Sequence, residues 1–226
     1  MPPEQPPGLC IAAIPEREDP RDAFISTHFA SFDELPAGAV LGTASLRRQA
    51  QALALRPDLK IEMLRGNVDT RLRKLAEGEF DAILLAVSGL NRLGFEDVIR
   101  ERLSLDAFLP APGQGALALQ TREGEGAAWV AALNHPMTAL AVAAERGAMT
   151  ALEGSCRTAI GAHAEIADGQ LRLTVEMLSP DGSARWRRAG ELVEATSPDA
   201  ETAARTLGLR LGGEVHAAAG DQRIEI

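Results

Sequence analysis

The sequence predicts an α/β protein in which a domain with a largely parallel sheet is followed by a smaller α+β domain. In the first half of the chain, short apolar runs bounded by turn residues alternate with segments of helical spacing. Parallel neighbours need crossover connections of this kind, so the alternation predicts a parallel sheet covered by helices. From Ala159 to Leu192, short apolar runs are separated by turn signals instead, which is typical of antiparallel hairpins.

Strands and helices alternate in the first half of the chain. The predicted strands are the apolar runs Cys10–Ile14, Ala39–Thr43, Lys60–Leu64 and Asp81–Val87. The last three are separated by segments in which apolar side chains recur every three or four residues, Ser45–Arg56 and Val68–Glu77. These segments are predicted to be the crossover helices of the sheet.

A change of pattern at Leu109–Gly115 is predicted to mark a crossing between domains, because the segment holds two prolines and two glycines. The elements predicted after it are a short apolar run, Ala116–Leu119, and helices at Gly126–Leu133, Met137–Leu152 and about Pro198–Ala218. Glycine is a poor helix former, and three glycines weaken the last helix: Gly208, Gly212 and Gly213.

Composition argues against several classes of protein and partner. The 226 residues carry a formal net charge of −9, which argues against nucleic acid or an anionic membrane as a general partner. No apolar run approaches the roughly 20 residues of a membrane span. The N-terminal MPPEQPPGL lacks the basic and apolar regions of a secretory signal, so a cytoplasmic protein is expected. The histidines and cysteines are scattered, so no metal site is predicted.

The segment Gly42–Gln49, GTASLRRQ, is the first candidate binding site, since a predicted strand ends and a helix begins there. Free backbone N–H groups at a helix start favour an anion, and Thr43 and Ser45 add hydroxyl donors. Arg47 and Arg48 follow in the first turn, where a cation is unfavourable for the helix itself. A bound carboxylate or phosphate would explain them. The alternative is a solvated helix face with an ordinary cap.

A second basic turn, RGNVDTR, also joins a strand to a helix, and Arg92 follows the next strand. In an open α/β sheet ligands bind outside the carboxyl ends of the strands, so Arg65 and Arg71 are expected at the same edge as the first cluster. Residues 45 to 74 hold eight basic and three acidic side chains, a local charge of +5. Such a surface suits a ligand with several carboxylates, because each guanidinium can bind one bidentately. The alternative is surface ion pairing with Asp69 and Glu62.

The two cysteines differ in their surroundings. Cys10 lies in a predicted strand and is assigned to the core. Cys156 follows Gly154 and Ser155 and precedes Arg157, which predicts an accessible turn with a cation able to stabilise a thiolate. An isolated cysteine is more often an inert small apolar residue, so this pattern alone leaves the role of Cys156 open.

Several long motifs, in sequence order, resemble porphobilinogen deaminases (hydroxymethylbilane synthases) along nearly the whole chain: GTASLRRQ, LRGNVDTRL, FDAILLAVSGLNRLGF, LPAPGQGALALQTR and ERGAMTALEGSCRTAIG. The resemblance implies three domains, of which the first two are similar to the halves of periplasmic binding proteins. It implies an incomplete first domain at residues 1–18 and 112–134, an arginine-rich α/β domain 2 at residues 19–111, and a C-terminal α+β domain at residues 135–226.

The resemblance also implies an activity and the residues that serve it. An enzyme of this kind joins four porphobilinogen units onto a dipyrromethane cofactor and releases ammonia and hydroxymethylbilane. The resemblance implies a thioether from Cys156 to the cofactor, and cofactor contacts from Thr43, Ser45, Arg47, Arg48, Arg65, Arg71 and Gln114. The substrate contacts that it implies are Arg65, Arg71 and Arg92. Each pyrrole carries an acetate and a propionate, so the growing chain gains negative charge that suits an arginine-rich edge.

The family's catalytic aspartate aligns before Met1, so no catalytic residue is expected within this chain. We therefore expect little or no deaminase activity from this polypeptide alone. The expected partner is the substrate porphobilinogen, and the chain is expected to be a monomer, the alternative being a complex with a complementing N-terminal fragment. The alternative function is a non-catalytic polyanion-binding module of periplasmic-binding-protein type, which would use the same arginines without a modified cysteine.

Overall fold

The computed structural model describes residues 5–125, 128–152, 159–192, 197 and 199–220. In chain order, the elements within these ranges are β1 (Leu9–Ala13), β2 (Asp22–Ile25), β3 (Val40–Thr43), α1 (Leu46–Leu55), β4 (Lys60–Met63), α2 (Val68–Ala76), β5 (Ala82–Ala86), α3 (Val87–Leu93), β6 (Glu101–Arg102), β7 (Leu119–Arg122), α4 (Ala128–Ala131), α5 (Pro136–Ala151), β8 (Ile160–Ala167), β9 (Gln170–Leu178), β10 (Arg185–Leu192) and α6 (Ala200–Ala219). The strands form sheets of two, five and three members.

The five-stranded sheet has the order β4-β3-β5-β2-β6. β3 is parallel to both β4 and β5, as the crossover helices predict. β2 is antiparallel to both of its neighbours, β5 and β6. The α/β class is therefore confirmed, but the sheet is mixed, because two short strands that the sequence analysis did not identify complete it. Apolar clusters cover both faces of this sheet.

Two elements of this region have weak sequence signals. β2 is only four residues long and begins with Asp22, although all four of its side chains are buried. α3 follows β5 without a loop and ends at Gly94, whose φ of 73° lies in the left-handed region that glycine adopts readily. An apolar run that continues from a strand into a helix has no turn residue to separate them, so periodicity assigns the run to one element.

β1 and β7 pair antiparallel as a two-stranded sheet. β7 begins at Leu119, later than the predicted apolar run, because Gly113 and Gly115 have φ values of 73° and 83° and turn the chain before it extends. The turn is closed by a hydrogen bond from the Ala116 N–H to the Gly113 carbonyl. This turn directs the chain back toward β1.

In the C-terminal region, the antiparallel sheet β10-β9-β8 packs against α5 and α6. The predicted hairpins are confirmed, and α5 and α6 match two predicted helices to within two residues at each end. α4 is only four residues long, much shorter than predicted. Helices α5 and α6 approach each other at Gly147 and Gly208, where an added Cβ would meet the backbone of the other helix.

The buried carboxylate of Glu145 in α5 connects the C-terminal region to both segments that cross between the sheets. It accepts hydrogen bonds from the Arg17 guanidinium at 2.6 and 3.1 Å and from the Gly113 N–H at 2.7 Å. Burial by itself raises the pKa of Glu145, but the nearby Arg17 and His163 lower it by a larger amount, so the pKa lies below its ordinary value. Glu145 therefore remains ionised and holds both crossing segments.

Candidate functional site

The carboxyl ends of β3, β4 and β5 lie at one edge of the five-stranded sheet, because β3 is parallel to both neighbours. Helices α1, α2 and α3 begin shortly after these ends. The predicted basic turns therefore lie at the same edge, which is where open α/β sheets bind ligands.

Asp22, at the start of β2, binds both arginines of α1. Its Oδ2 accepts a hydrogen bond from Arg47 Nη1 at 2.7 Å, and its Oδ1 accepts from Arg48 Nη2 at 2.7 Å and Arg48 Nε at 3.0 Å. Arg47 is 4% exposed, Arg48 is 9% exposed and Asp22 has no exposed surface. The alternative of a solvated helix face is therefore wrong. Asp22 supplies part of the negative charge that the sequence analysis expected from a bound carboxylate or phosphate.

Gln114, in the segment between β6 and β7, also contacts Asp22 and Arg47, and these three residues together with Arg48 are called the Asp22 cluster here. Its Nε2 donates to Asp22 Oδ1 at 2.9 Å and to the Pro20 carbonyl at 2.6 Å, while its Oε1 accepts from Arg47 Nη2 at 3.2 Å. Arg17 Nε donates to the Gln114 carbonyl at 2.9 Å. The cluster is thus formed jointly by β2, α1 and the segment that returns toward β7.

Positive charge exceeds negative charge in this cluster. Burial by itself raises the pKa of Asp22, but Arg47 and Arg48 lower it well below its ordinary value, so Asp22 is ionised. The pKa of Arg71 is lowered by burial and by the like charge of Arg48. Within the described residues, the buried Arg47 Nε has no hydrogen-bond acceptor. Two guanidinium groups therefore share one carboxylate, Arg71 adds a third positive charge close to Arg48, and the arrangement favours a further anion.

The hydroxyl groups at this edge stabilise the turn between β3 and α1. Ser45 is the N-cap of α1, and its Oγ accepts from the Arg48 N–H at 3.4 Å. Thr43 Oγ1 accepts from the Ser45 N–H at 3.1 Å. The capping role proposed for Ser45 as the simpler alternative is confirmed, while each hydroxyl group keeps its own hydrogen to donate.

The remaining arginines at this edge are more accessible. Arg65 is exposed, and the half-buried Arg71 donates from Nε to the Gly66 carbonyl at 2.8 Å. In the described ranges neither arginine forms an ion pair, so pairing with Asp69 and Glu62 does not account for them. Their guanidinium groups remain available to an anionic ligand.

Arg92 lies apart from the Asp22 cluster. It is exposed at the end of α3, beside a hollow that is also lined by Glu16, Glu18, Asn91 and others. Among the described residues, no hydrogen bond or ion pair joins it to the buried arginines. The structure therefore places Arg47, Arg48, Arg71 and Gln114 close to one another, whereas Arg92 lies apart from them.

The predicted cofactor attachment point, Cys156, lies outside the described residues, between α5 and β8. Cys10 is half-buried in β1, with its Sγ 3.5 Å from Thr121 Oγ1. No helix in the described ranges has the length and apolar character needed to cross a bilayer. The same residues contain no group of three or more His, Cys, Asp or Glu side chains arranged to hold a metal ion.

Sequence reasoning missed Asp22 and Gln51. Asp22 has a recognisable signal, since a single acidic residue opens the short apolar run DAFI, but a strand of four residues is below the length at which periodicity is informative. Gln51 lies four residues after Arg47, so the two side chains share one helix face. Burial of that face became evident only from the tertiary structure.

Two family profiles match this sequence. The profile described as "Porphobilinogen deaminase, dipyromethane cofactor binding domain" matches residues 1–129, and the profile of the porphobilinogen deaminase C-terminal domain matches residues 139–217. Together they include the Asp22 cluster, the basic turns and the segment that contains Cys156. The sequence motifs and the comparison therefore identify the same family.

Curated relatives agree with the profiles. A porphobilinogen deaminase of Caulobacter vibrioides is 61% identical over 98% of this chain and 69% of the relative, and that of Phenylobacterium zucineum is 58% identical over the same shares. Among solved structures, a lipoprotein of Bacillus subtilis is 15% identical, with a TM-score of 0.38 over 56% of this chain and 59% of that chain. Because of the family profiles and the two close relatives, this chain belongs to the porphobilinogen deaminase family of transferases and contains that family's dipyrromethane cofactor-binding domain.

Proposed function

We propose that this chain binds the carboxylates of the dipyrromethane cofactor and of porphobilinogen at the edge formed by the carboxyl ends of β3, β4 and β5. The observation that carries the proposal is the charge balance at this edge: Arg47 and Arg48 share the single carboxylate of Asp22, and Arg71 adds a third positive charge close to Arg48. A buried guanidinium nitrogen without an acceptor, Arg47 Nε, supports it further. Excess buried positive charge is costly unless an anion accompanies it, so a ligand carboxylate would stabilise the site.

The residues proposed to hold the cofactor are those that the motifs indicate: Cys156 by covalent attachment, and Thr43, Ser45, Arg47, Arg48, Arg65, Arg71 and Gln114 by polar contacts. Arg65, Arg71 and Arg92 are proposed to bind the substrate. The chemistry of this donor set fits the group, because guanidinium forks and hydroxyl groups match acetate and propionate oxygens. When bound, the dipyrromethane supplies the pyrrole end to which four porphobilinogen units are joined with loss of four ammonia, before water releases hydroxymethylbilane.

The protein's own residues would position these carboxylates and exclude water from them. Arg47 and Arg48 are held by Asp22 before any ligand arrives, so little side-chain entropy is lost on binding. The exposed Arg65 can change rotamer as a pyrrole chain lengthens, and the half-buried Arg71 can present its terminal nitrogens to it while its Nε donates to the Gly66 carbonyl. A fixed pair beside an adaptable pair suits a ligand that has one permanent part and one growing part.

We further propose the domain division 1–18 with 112–134, 19–111 and 135–226. The three sheets support it, since each proposed domain contains one of them. A cytoplasmic location and a monomeric state are also proposed, because the motifs resemble those of the porphobilinogen deaminase family. A reducing compartment would keep the free thiol of Cys10 reduced.

Intact-mass measurement tests the attachment of the cofactor. After incubation with porphobilinogen and an N-terminal segment of a related porphobilinogen deaminase that supplies the family's catalytic aspartate, we expect the protein to gain the mass of two porphobilinogen units less two ammonia. Cys156→Ser should remove this gain, whereas Cys10→Ser should retain it, because only the first change deletes the proposed attachment atom. A mass gain that survives Cys156→Ser, or is lost in Cys10→Ser, would contradict the assignment.

Arg71→Lys tests the proposed contact with pyrrole carboxylates. Lysine keeps the charge but loses the two-pronged geometry, so we expect porphobilinogen to bind about tenfold more weakly in calorimetric titration. Arg73→Lys is the matched control, since Arg73 lies on the same helix and pairs with Glu77 at the surface. Equal affinity of the two variants would speak against a carboxylate contact by Arg71.

A further inference from the structure

A buried carboxylate of the C-terminal sheet, Glu176 in β9, lies where that sheet meets α1, and it has no exposed surface. Its Oε2 accepts hydrogen bonds from Arg185 Nε at 2.8 Å and Arg187 Nε at 2.9 Å. Its Oε1 accepts from Gln51 Nε2 at 2.6 Å. The first two donors belong to the neighbouring strand β10, whereas Gln51 belongs to α1. Glu176 therefore links the C-terminal region to the helix that carries the candidate site.

Gln51 extends this contact to the Asp22 cluster. The side chain has no exposed surface; its Nε2 also donates to the Leu109 carbonyl at 2.9 Å, and its Oε1 accepts from Arg47 Nη1 at 2.9 Å. Only one orientation of the amide satisfies all three partners, because its NH2 must face the two acceptors and its oxygen must face the guanidinium. Glu176 thus fixes the amide, and the amide helps to orient Arg47 together with Asp22, Gln114 and the Leu109 carbonyl.

We propose that Glu176 is a positioning residue for the carboxylate-binding edge, which is the sheet edge at the carboxyl ends of β3, β4 and β5. It touches no ligand itself, but through Gln51 it holds the Arg47 guanidinium in the orientation that meets Asp22 and a ligand carboxylate. This inference rests on the proposed function and deepens it. The region that carries Cys156 would thereby also set the geometry of the arginines that bind the group attached to that cysteine.

The isosteric change Glu176→Gln tests this effect, because it preserves volume and replaces one acceptor by a donor. It also removes the negative charge paired with Arg185 and Arg187, so a separate signal must report on general packing. The Nε groups of Arg185 and Arg187 require an oxygen, so the new NH2 would face Gln51. Gln51 would then have to turn its oxygen toward that NH2, which presents its own NH2 to Arg47. A donor would face a donor, and Arg47 would keep only its contacts with Asp22, Gln114 and the Leu109 carbonyl, which leaves its guanidinium less firmly oriented.

Guanidinium NMR measures the orientation of Arg47 directly. We expect the wild-type chain to show resolved, slowly exchanging Nη–H signals, assigned to Arg47 by their disappearance in Arg47→Lys. In Glu176→Gln these signals should broaden or average. The Nη–H signals of Arg48 should stay sharp, because Arg48 donates to Asp22 and to the Leu84 carbonyl and not to Gln51. Glu214→Gln, which removes an exposed charge of α6 paired with Arg210, should leave them unchanged.

Two results would overturn the positioning role. The first is an unchanged Arg47 spectrum in Glu176→Gln. The second is equal loss of the Arg47 and Arg48 signals in Glu176→Gln, which would indicate a general loss of packing. Neither result depends on a ligand, so the positioning of Arg47 is tested even if the proposed function fails.

Titration with porphobilinogen then tests the consequence for binding. We expect affinity to fall about tenfold in Glu176→Gln and to stay at the wild-type value in Glu214→Gln. Wild-type affinity in Glu176→Gln, despite an altered Arg47 spectrum, would contradict a role in ligand binding. Failure of the wild-type chain to bind porphobilinogen would instead contradict the proposed function, and the spectra alone would decide the positioning role.

Discussion

Replacement of Asp22 by asparagine is expected to lower the free energy of unfolding by about 3–5 kcal/mol, because it leaves two buried guanidinium groups without their carboxylate. Asp22 has no exposed surface, and Arg47 and Arg48 both donate to it at 2.7 Å. Urea denaturation at pH 7 measures the change. Asp19→Asn is the matched control, since Asp19 pairs with the partly exposed Arg21, and such pairs contribute at most about 1 kcal/mol.

The same substitution has an expected signature in the dependence of stability on pH. The pKa of Asp22 in the folded protein is lowered from its ordinary value of 3.8, so the stabilisation is present above that value and is lost as the pH falls toward the folded pKa. The wild-type chain should therefore lose stability below about pH 4 more steeply than Asp22→Asn. Parallel stability curves for the two proteins from pH 7 to pH 3 would show that Asp22 is not the ionised centre of the cluster.

Replacement of Gly208 by alanine is expected to lower the free energy of unfolding by about 3 kcal/mol, because an added Cβ would overlap the Ala144 carbonyl oxygen and force α5 and α6 apart. Gly213→Ala on the same helix is the control. A Cβ at Gly213 meets nothing within 4 Å, so the change should stabilise the helix by about 0.5–1 kcal/mol. Thermal or urea denaturation of both variants measures the contrast, and a change of the same sign in both would refute the close-packing explanation.

These glycines illustrate what helix propensity can and cannot predict. From the sequence, Gly208, Gly212 and Gly213 are equally weak points of one helix. In the structure the first two lie against the backbone of α5, whereas the third has open space beside it. Propensity describes a residue within its own helix, and only the packing of a second helix distinguishes a required glycine from a tolerated one.

At the carboxylate-binding edge, too, one part was predictable from the sequence and another part only from the tertiary structure. Strand-to-helix turns and the parallel order of β3, β4 and β5 were sufficient to predict that several arginines share one edge. Their internal counter-ion was not predictable, since Asp22 is distant in sequence and belongs to a strand that runs antiparallel to its neighbours. The relay through Gln51 to Glu176 was equally hidden, because it joins residues 125 positions apart.

By itself, the sequence determined the α/β class, most of the strands and helices, the family and the basic turns. Each of these is encoded locally, in periodicity, turn chemistry or contiguous motifs. Only the tertiary structure decided which arginines are buried, that Asp22 neutralises part of their charge, and that Glu176 reaches Arg47 through an amide. Those properties depend on the distance between side chains from remote segments and on their removal from water, which no local pattern specifies.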